Sequence, residues 1–478
     1  MMAARARHRR DHGRLRAIGA VAIALAGLAV LAGGAPTAPP PSVPLRDGAL
    51  VAPATATSST WICAGLKAGA RSALTLENLS SATVEGTMTV VGSGRVLKTA
   101  PVGVAAHQRA VLSVVLPARA NFATAFVQFH GGGVAVTMAL HWNGLVASAP
   151  CVSSSATTSY LADAVSTRHT SSVVTLVNPS SSAVAVVSVT AVTTAGLVQP
   201  SPLQGLVIPP LRSIPIDLAT FVLNQPSFGI LVTALSGRIV ASEDELGWGE
   251  NRILTVVPGR PALSGVNVLG FENKTATQGQ VVTLTNFSAE PATVDEQVTL
   301  PSGLLAAATI TVPANATVGQ PLQSFAGVPN DFPFTITFRG PSAAVAVARV
   351  DRVFDDVSLW RSAESAIAGD GATTTAVLPA ANSAVPSMRW RQVVVSNLAG
   401  RPTTVVLHVG TGRGAAGTQL RLGTGQIVVI ASGPVVAASS AGLPIVATST
   451  GAVALAGRTI PSGAPTGPTV TGLPVQPS

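Results

Sequence analysis

One phrase recurs four times along this chain: Leu74-Thr75-Leu76-Glu77-Asn78-Leu79-Ser80, Val174-Thr175-Leu176-Val177-Asn178-Pro179-Ser180, Val282-Thr283-Leu284-Thr285-Asn286-Phe287-Ser288 and Val393-Val394-Val395-Ser396-Asn397-Leu398-Ala399. An alternating apolar run that stops at Asn and a turn residue marks the end of a β-strand. Asn78, Asn178, Asn286 and Asn397 are therefore read as a structural repeat with a period of roughly a hundred residues, the size of an immunoglobulin-type sandwich rather than of a solenoid coil. The spacing predicts an all-β chain of tandem immunoglobulin-like β-sandwich domains at 59–153, 154–261, 262–365 and 366–460.

Composition agrees with strands. Charged residues make up only 10% of the chain and hydrophobic residues 47%, mostly Val and Ala. Val with Thr suits pleated, half-buried segments. The aromatic share is 4%, with Tyr160 the single tyrosine, which leaves little material for aromatic binding platforms.

The formal net charge of +9 does not indicate nucleic acid. Arg5, Arg7, Arg9, Arg10, Arg14 and Arg16 crowd residues 1–16 against Asp11 alone, and the other basic residues are spread thinly among acidic ones. A nucleic-acid interface would gather them on one face. Behind the basic head, the uncharged stretch 17–35 predicts a transmembrane helix or signal segment, with the head cytoplasmic and everything after it exported. Its many alanines and glycines suit a signal peptide, whereas Pro36 disfavours cleavage after Ala35 and favours an uncleaved anchor. Residues 36–58 read as a stiff Pro-rich linker and 461–478 as a disordered tail. The expected location is the cell membrane, single-pass with the bulk extracytoplasmic, or secreted if the signal is cleaved.

Cys63 and Cys151 are the two cysteines and flank the first unit. A disulfide between them would tie the two ends of one domain and suits an oxidising compartment. Closing so long a loop contributes on the order of 4 kcal/mol in the chain-entropy model. The competing readings are two unpaired thiols and half of a metal site, although no His or Cys lies at ligand spacing from either residue.

Each unit is expected to close with a hairpin: 126–129 to 134–136, 230–232 to 238–240, 334–336 to 345–347, and 445–447 to 452–454. In the third unit Val294, Val298 and Leu300 alternate toward a core while Thr293, Asp295, Gln297 and Thr299 face water; Glu296 breaks the pattern.

The order of a Trp/Cys-containing opening strand, then Thr-Leu-Val-Asn-Pro-Ser after a Cys-led start (Cys151 to Ser180), then Ile-Pro-Pro and a terminal strand pair resembles an actinobacterial family of exported proteins, described as a domain of unknown function (DUF5719-like). The resemblance covers most of residues 59–361. It implies a membrane-anchored envelope protein with repeated β domains and supplies no catalytic residues.

Other motifs point to no chemistry. Gly410 to Gly417 superficially matches a dinucleotide loop, but the following Gln419-Leu420-Arg421-Leu422 reads as a strand and no acidic residue occurs after Asp370. His107, His130, His141, His169 and His408 are scattered over different units without a nucleophile elbow, and His130-Gly131-Gly132-Gly133 reads as a turn. Glu243-Asp244-Glu245, and Asp351 with Asp355-Asp356, could offer oxygens to calcium at domain junctions; a solvated linker is the plainer reading. Trp142, Trp248 and Trp360 could stack on sugar rings or seal one unit against the next.

No catalytic, cofactor-binding or metal-binding residue is assigned, and no cofactor is expected. The leading expectation is a non-enzymatic, membrane-anchored extracytoplasmic structural or interaction protein of the cell envelope, with an envelope protein or glycan as partner. The alternative is a cell-wall carbohydrate-binding or accessory module for envelope glycan assembly.

Overall fold

The computed structural model describes residues 55–474 apart from short internal stretches, the longest being 379–389 and 460–468. The basic head, the apolar stretch 17–35 and most of the Pro-rich linker lie outside the described residues. Among the described ones, no helix is long and apolar enough to cross a membrane. The fold is all-β, made of antiparallel sheets stacked as sandwiches.

The first unit pairs two four-stranded sheets. One runs Ser59–Lys67, Phe122–His130, Val84–Gly92, Arg95–Val104; the other runs Arg109–Val114, Arg71–Asn78, Val134–Trp142, Leu145–Pro150. Trp61, Leu74, Leu76, Met88, Phe129 and Leu140 fill the space between them. Burial of side chains of this kind contributes about 1.5–3 kcal/mol each. Cys63 and Cys151 are bonded across 88 residues, with a Cα–Cα distance of 4.6 Å, joining the first strand to the chain just past the last.

The expected closing hairpins are not hairpins. Phe122–His130 and Val134–Trp142 lie in opposite sheets, as do Gly229–Ser236 and Val240–Gly247, Pro333–Arg339 and Val345–Phe354, and Ile445–Ser449 and Val453–Thr459. Each short link is an arch that carries the chain from one sheet to the other. Both flanking strands are apolar because they line the same core from opposite sides, and periodicity alone does not distinguish that from pairing.

The second and third units share a sheet of eight strands. Its order is Arg212–Asp217, Thr170–Asn178, Val240–Gly247, Asn251–Pro258, Leu359–Ser365, Val345–Phe354, Gln278–Asn286, Thr317–Pro321. In its middle Asn251, Arg252 and Ile253 pair with Leu359, Trp360 and Arg361 in the one parallel ladder among the described residues. One half of this sheet covers Leu161, Val187, Val189, Ile230 and Val232 of the second unit's five-stranded sheet. The other half reaches the opposite face, where Ala162 packs with Ala346 and Ala348. The third unit thus meets the outer side of the five-stranded sheet at one end, while Val186, Ser188, Leu231 and Thr233 farther along that side stay half-buried.

The third unit is completed by Gly303–Val312, Ala292–Leu300, Pro333–Arg339 and Val266–Asn273. The fourth stacks Gly417–Leu422, Thr403–Val409, Ile445–Ser449 and Thr375–Leu378 on Ile427–Ile430, Trp390–Asn397 and Val453–Thr459. Within the stretch read from the sequence as a disordered tail, Thr469–Thr471 pairs with Arg458, Gly457 and Ala456. A Thr-Val-Thr triplet is strand-forming even among prolines and glycines.

Candidate functional site

Each of the four asparagines ends its strand and is buried. Asn78 Nδ2 donates to the carbonyls of Ala82, Val104 and Ala105 at 2.7, 3.0 and 3.1 Å, while Oδ1 accepts from Ser80 N at 2.9 Å and Ser80 Oγ at 2.7 Å. Asn286 repeats this with Glu290, Val312 and Pro313 (2.8, 3.2 and 3.0 Å) and with Ser288 N (2.9 Å). Asn397 holds Arg401, Leu422 and Gly423 (2.9, 3.4 and 2.8 Å) and Ala399 N (2.9 Å). Asn178 holds Ala183 and Ile208 (2.8 and 2.9 Å) and Ser180 N (3.0 Å). Only a carboxamide offers two donors and an acceptor on so short a stem. Shortly after the far carbonyls the chain bends through His107, Leu211 and Asn315 at φ 55, 49 and 48°. The repeat is thus a clamp for the fold.

Glu243, Asp244 and Glu245 do not lie on a solvated linker after the strand. They are buried inside Val240–Gly247. Alternation places Asp244 on the side of Val240, which packs with Ile62, Ala64, Val91 and Phe126 of the first unit, and Glu243 and Glu245 on the side of Ala241. Carboxylates on opposite faces of one strand do not converge on a cation, and among the described residues no group of three or more His, Cys, Asp or Glu is placed to hold a metal. Asp351 lies in Val345–Phe354; Asp355 and Asp356 fall outside the described residues.

Burial raises the Asp244 carboxyl well above its ordinary range, with the Lys67 ammonium working against it. Burial likewise lowers Lys67, and Asp244 opposes that. The Lys67 Nζ sits 5.0 Å from the Phe122 ring centre and 5.1 Å from that of Trp142. Trp142 therefore carries a cation at a junction, Trp248 is 47% exposed beyond Val240–Gly247, and Trp360 belongs to the parallel ladder. The strands flanking the dinucleotide-like glycines, Thr403–Val409 and Gly417–Leu422, pair antiparallel with each other, and residues 411–416 between them lie outside the described residues.

The residue before each clamp meets the preceding sandwich, and the three junctions are filled differently. At the first, Val177 packs with Ile62, Ala64, Val91 and Phe126. At the second, Thr285 Oγ1 donates to Ala162 O at 2.9 Å and lies 2.9 Å from Thr317 Oγ1, which donates to Val192 O at 2.7 Å. A Cβ on Gly229 would come within 2.3 Å of Thr285 Cγ2, so a larger residue there would hold these sheets apart.

At the third junction Ser396 and Thr335 meet through their hydroxyls at 3.1 Å, and beside them the seam opens into a cleft of about 330 Å³. Its floor is the outer face of the third unit, with Gln297 opposite Thr337, Thr299 opposite Thr335, and Arg339 alongside. Its other wall is formed by 396–400 and 424–425. Sequence reasoning placed Gln297 and Thr299 toward water but missed Thr335, Thr337 and Arg339; the alternation Phe334-Thr335-Ile336-Thr337-Phe338-Arg339 carried that signal. On the core face of the same sheet Glu296 is buried, and burial raises its carboxyl to about 7 while a 3.3 Å hydrogen bond from Gln320 Nε2 works the other way.

Residues 136–245 match the model of a family of unknown function (DUF5719). The match begins in Val134–Trp142 and ends in Val240–Gly247, so it takes in the end of the first unit and most of the second. No curated protein matches the chain. Among solved structures, the chain is similar to Thermotoga maritima 1070 (9% identity, 22% of this chain and 92% of that one, TM-score 0.20). It is also similar to a tetra-tandem repeat in the extending region of a large adhesion protein (12%, 83% and 91%, 0.11). A third is Salmonella alpha-2-macroglobulin reacted with methylamine (9%, 88% and 40%, 0.15). TM-scores of this size carry no argument about this chain.

Proposed function

We propose that this protein is a non-enzymatic structural or interaction protein of the cell envelope, with immunoglobulin-like sandwiches held outside the membrane by the segment 17–35, in the manner of the actinobacterial exported family it resembles. The observation that carries the reading is the buried Cys63–Cys151 bond closing the first sandwich just beyond a basic head and an apolar stretch. Disulfides persist in oxidising compartments.

The recurring polar side chains are spent on the chain itself: four asparagines hold carbonyls, and two cysteines hold each other. Partners would meet loops and sheet edges. Arg109–Val114 is an edge strand, with Val111 38% exposed and the following Val115 83% exposed, and such an edge accepts a partner strand by main-chain hydrogen bonds.

Fractionation of cells making the full chain tests the proposal. Recovery with membranes, digestion by protease added outside intact cells, and an oxidised cysteine pair on thiol trapping are expected. A cytosolic chain with two free thiols would reject it.

A further inference from the structure

We propose that the cleft between the third and fourth sandwiches binds a hydroxyl-rich anion the size of one or two sugar rings. The inference stands on the cleft itself, wherever the protein resides. The first two junctions are closed by apolar packing and by a threonine network, whereas the third leaves about 330 Å³ between polar walls, within the range of small-molecule sites. Polar voids of that size hold water, and a ligand gains by replacing such water with groups that reproduce its hydrogen bonds.

The floor chemistry selects the ligand. Gln297 beside Thr337, and Thr299 beside the Thr335–Ser396 pair, present a carboxamide and hydroxyls, groups that each donate and accept. A polyol offers the matching mixture. Arg339 is the one charged side chain among the described residues lining the cleft, and no carboxylate lines it. Its cross-strand neighbour Asp295 accepts from Thr309 Oγ1 at 3.1 Å. A guanidinium facing hydroxyls and amides favours an oxyanion through charge-assisted hydrogen bonds. Among the described residues no aromatic ring lines the cleft, so a neutral sugar finds no stacking face there.

Calorimetric titration of the full chain in detergent with glucuronate, with a linear oligouronide and with glucose tests this. Saturable binding of either anion is expected, with glucose silent. Glucuronate alone would indicate a free sugar acid, and the oligouronide alone an acidic polymer; both support the site. Arg339→Gln should weaken binding roughly tenfold. Gly400→Trp should abolish it, because Gly400 lines the cleft and a Cβ there meets nothing within 4 Å, leaving room for a bulky side chain at the site. Arg339 is exposed, so its variant remains informative if the tryptophan variant fails to fold. Absence of millimolar binding by both anions, glucose binding as tightly, or affinity unchanged by Arg339→Gln overturns the proposal.

Discussion

The carboxylate of Asp244 rests against the α-carbon of Gly65: a methyl group placed there would lie 2.5 Å from Oδ2 and 2.7 Å from Oδ1. Gly65 has φ +91° and sits at a break in register between Ala64 and Leu66. The opening strand of the first sandwich therefore bulges at its one residue without a side chain, and the second sandwich inserts a buried acid into the space. Gly65→Ala combines a disfavoured backbone with a collision. A loss of about 1–3 kcal/mol in denaturant unfolding is expected; wild-type stability in this variant would show that the contact does not matter.

The clamp has its own chemical signature. Asn78→Ala removes the partners of three carbonyls and of Ser80, so it should cost at least about 1–3 kcal/mol. Asn78→Asp keeps the acceptor and loses both donors. It should be no more stable than the alanine variant at neutral pH, and a chemical melt in which Asp restores stability would contradict the assignment of donors.

Glu296 predicts a pH dependence of definite sign. Its carboxyl rises from 4.5 to about 7 on folding, so the folded chain holds the proton more tightly than the unfolded chain. The group's contribution is fully present below about 4.5, declines as pH rises toward 7, and stays lost above. Glu296→Gln should melt higher than the parent above pH 7 and converge with it in acid. Parallel melting curves for the two proteins across that interval would exclude this role.

Reduction of Cys63–Cys151 frees an 88-residue loop. The Cys63→Ser, Cys151→Ser double variant should lose on the order of 4 kcal/mol, measured as a shift of the urea midpoint. An unshifted midpoint would mean the reduced chain keeps its ends together by packing alone.

What could be read from the chain was local. Asn78, Asn178, Asn286 and Asn397 announce themselves because a strand end and its turn lie within seven residues of sequence. The cysteine pairing was legible because only two exist. The pairing of Asn251 with Leu359 was not, since nothing near either residue encodes a partner so distant in sequence. Glu243, Asp244 and Glu245 looked solvated because charged side chains are seldom fully buried. Arg339 and Thr337 form part of a cleft only through the position of the fourth sandwich, which no periodicity records.

The parallel ladder also sets a route for mechanical load. Pulling the amino-terminal side of Asn251 against the carboxy-terminal side of Arg361 drags two parallel strands lengthwise past each other, so their hydrogen bonds resist together rather than unzipping singly. Tension between the two ends of the chain is then carried from Ile253 straight into Leu359–Ser365, and the hundred-odd residues looped out between them are shielded from it until that clip shears.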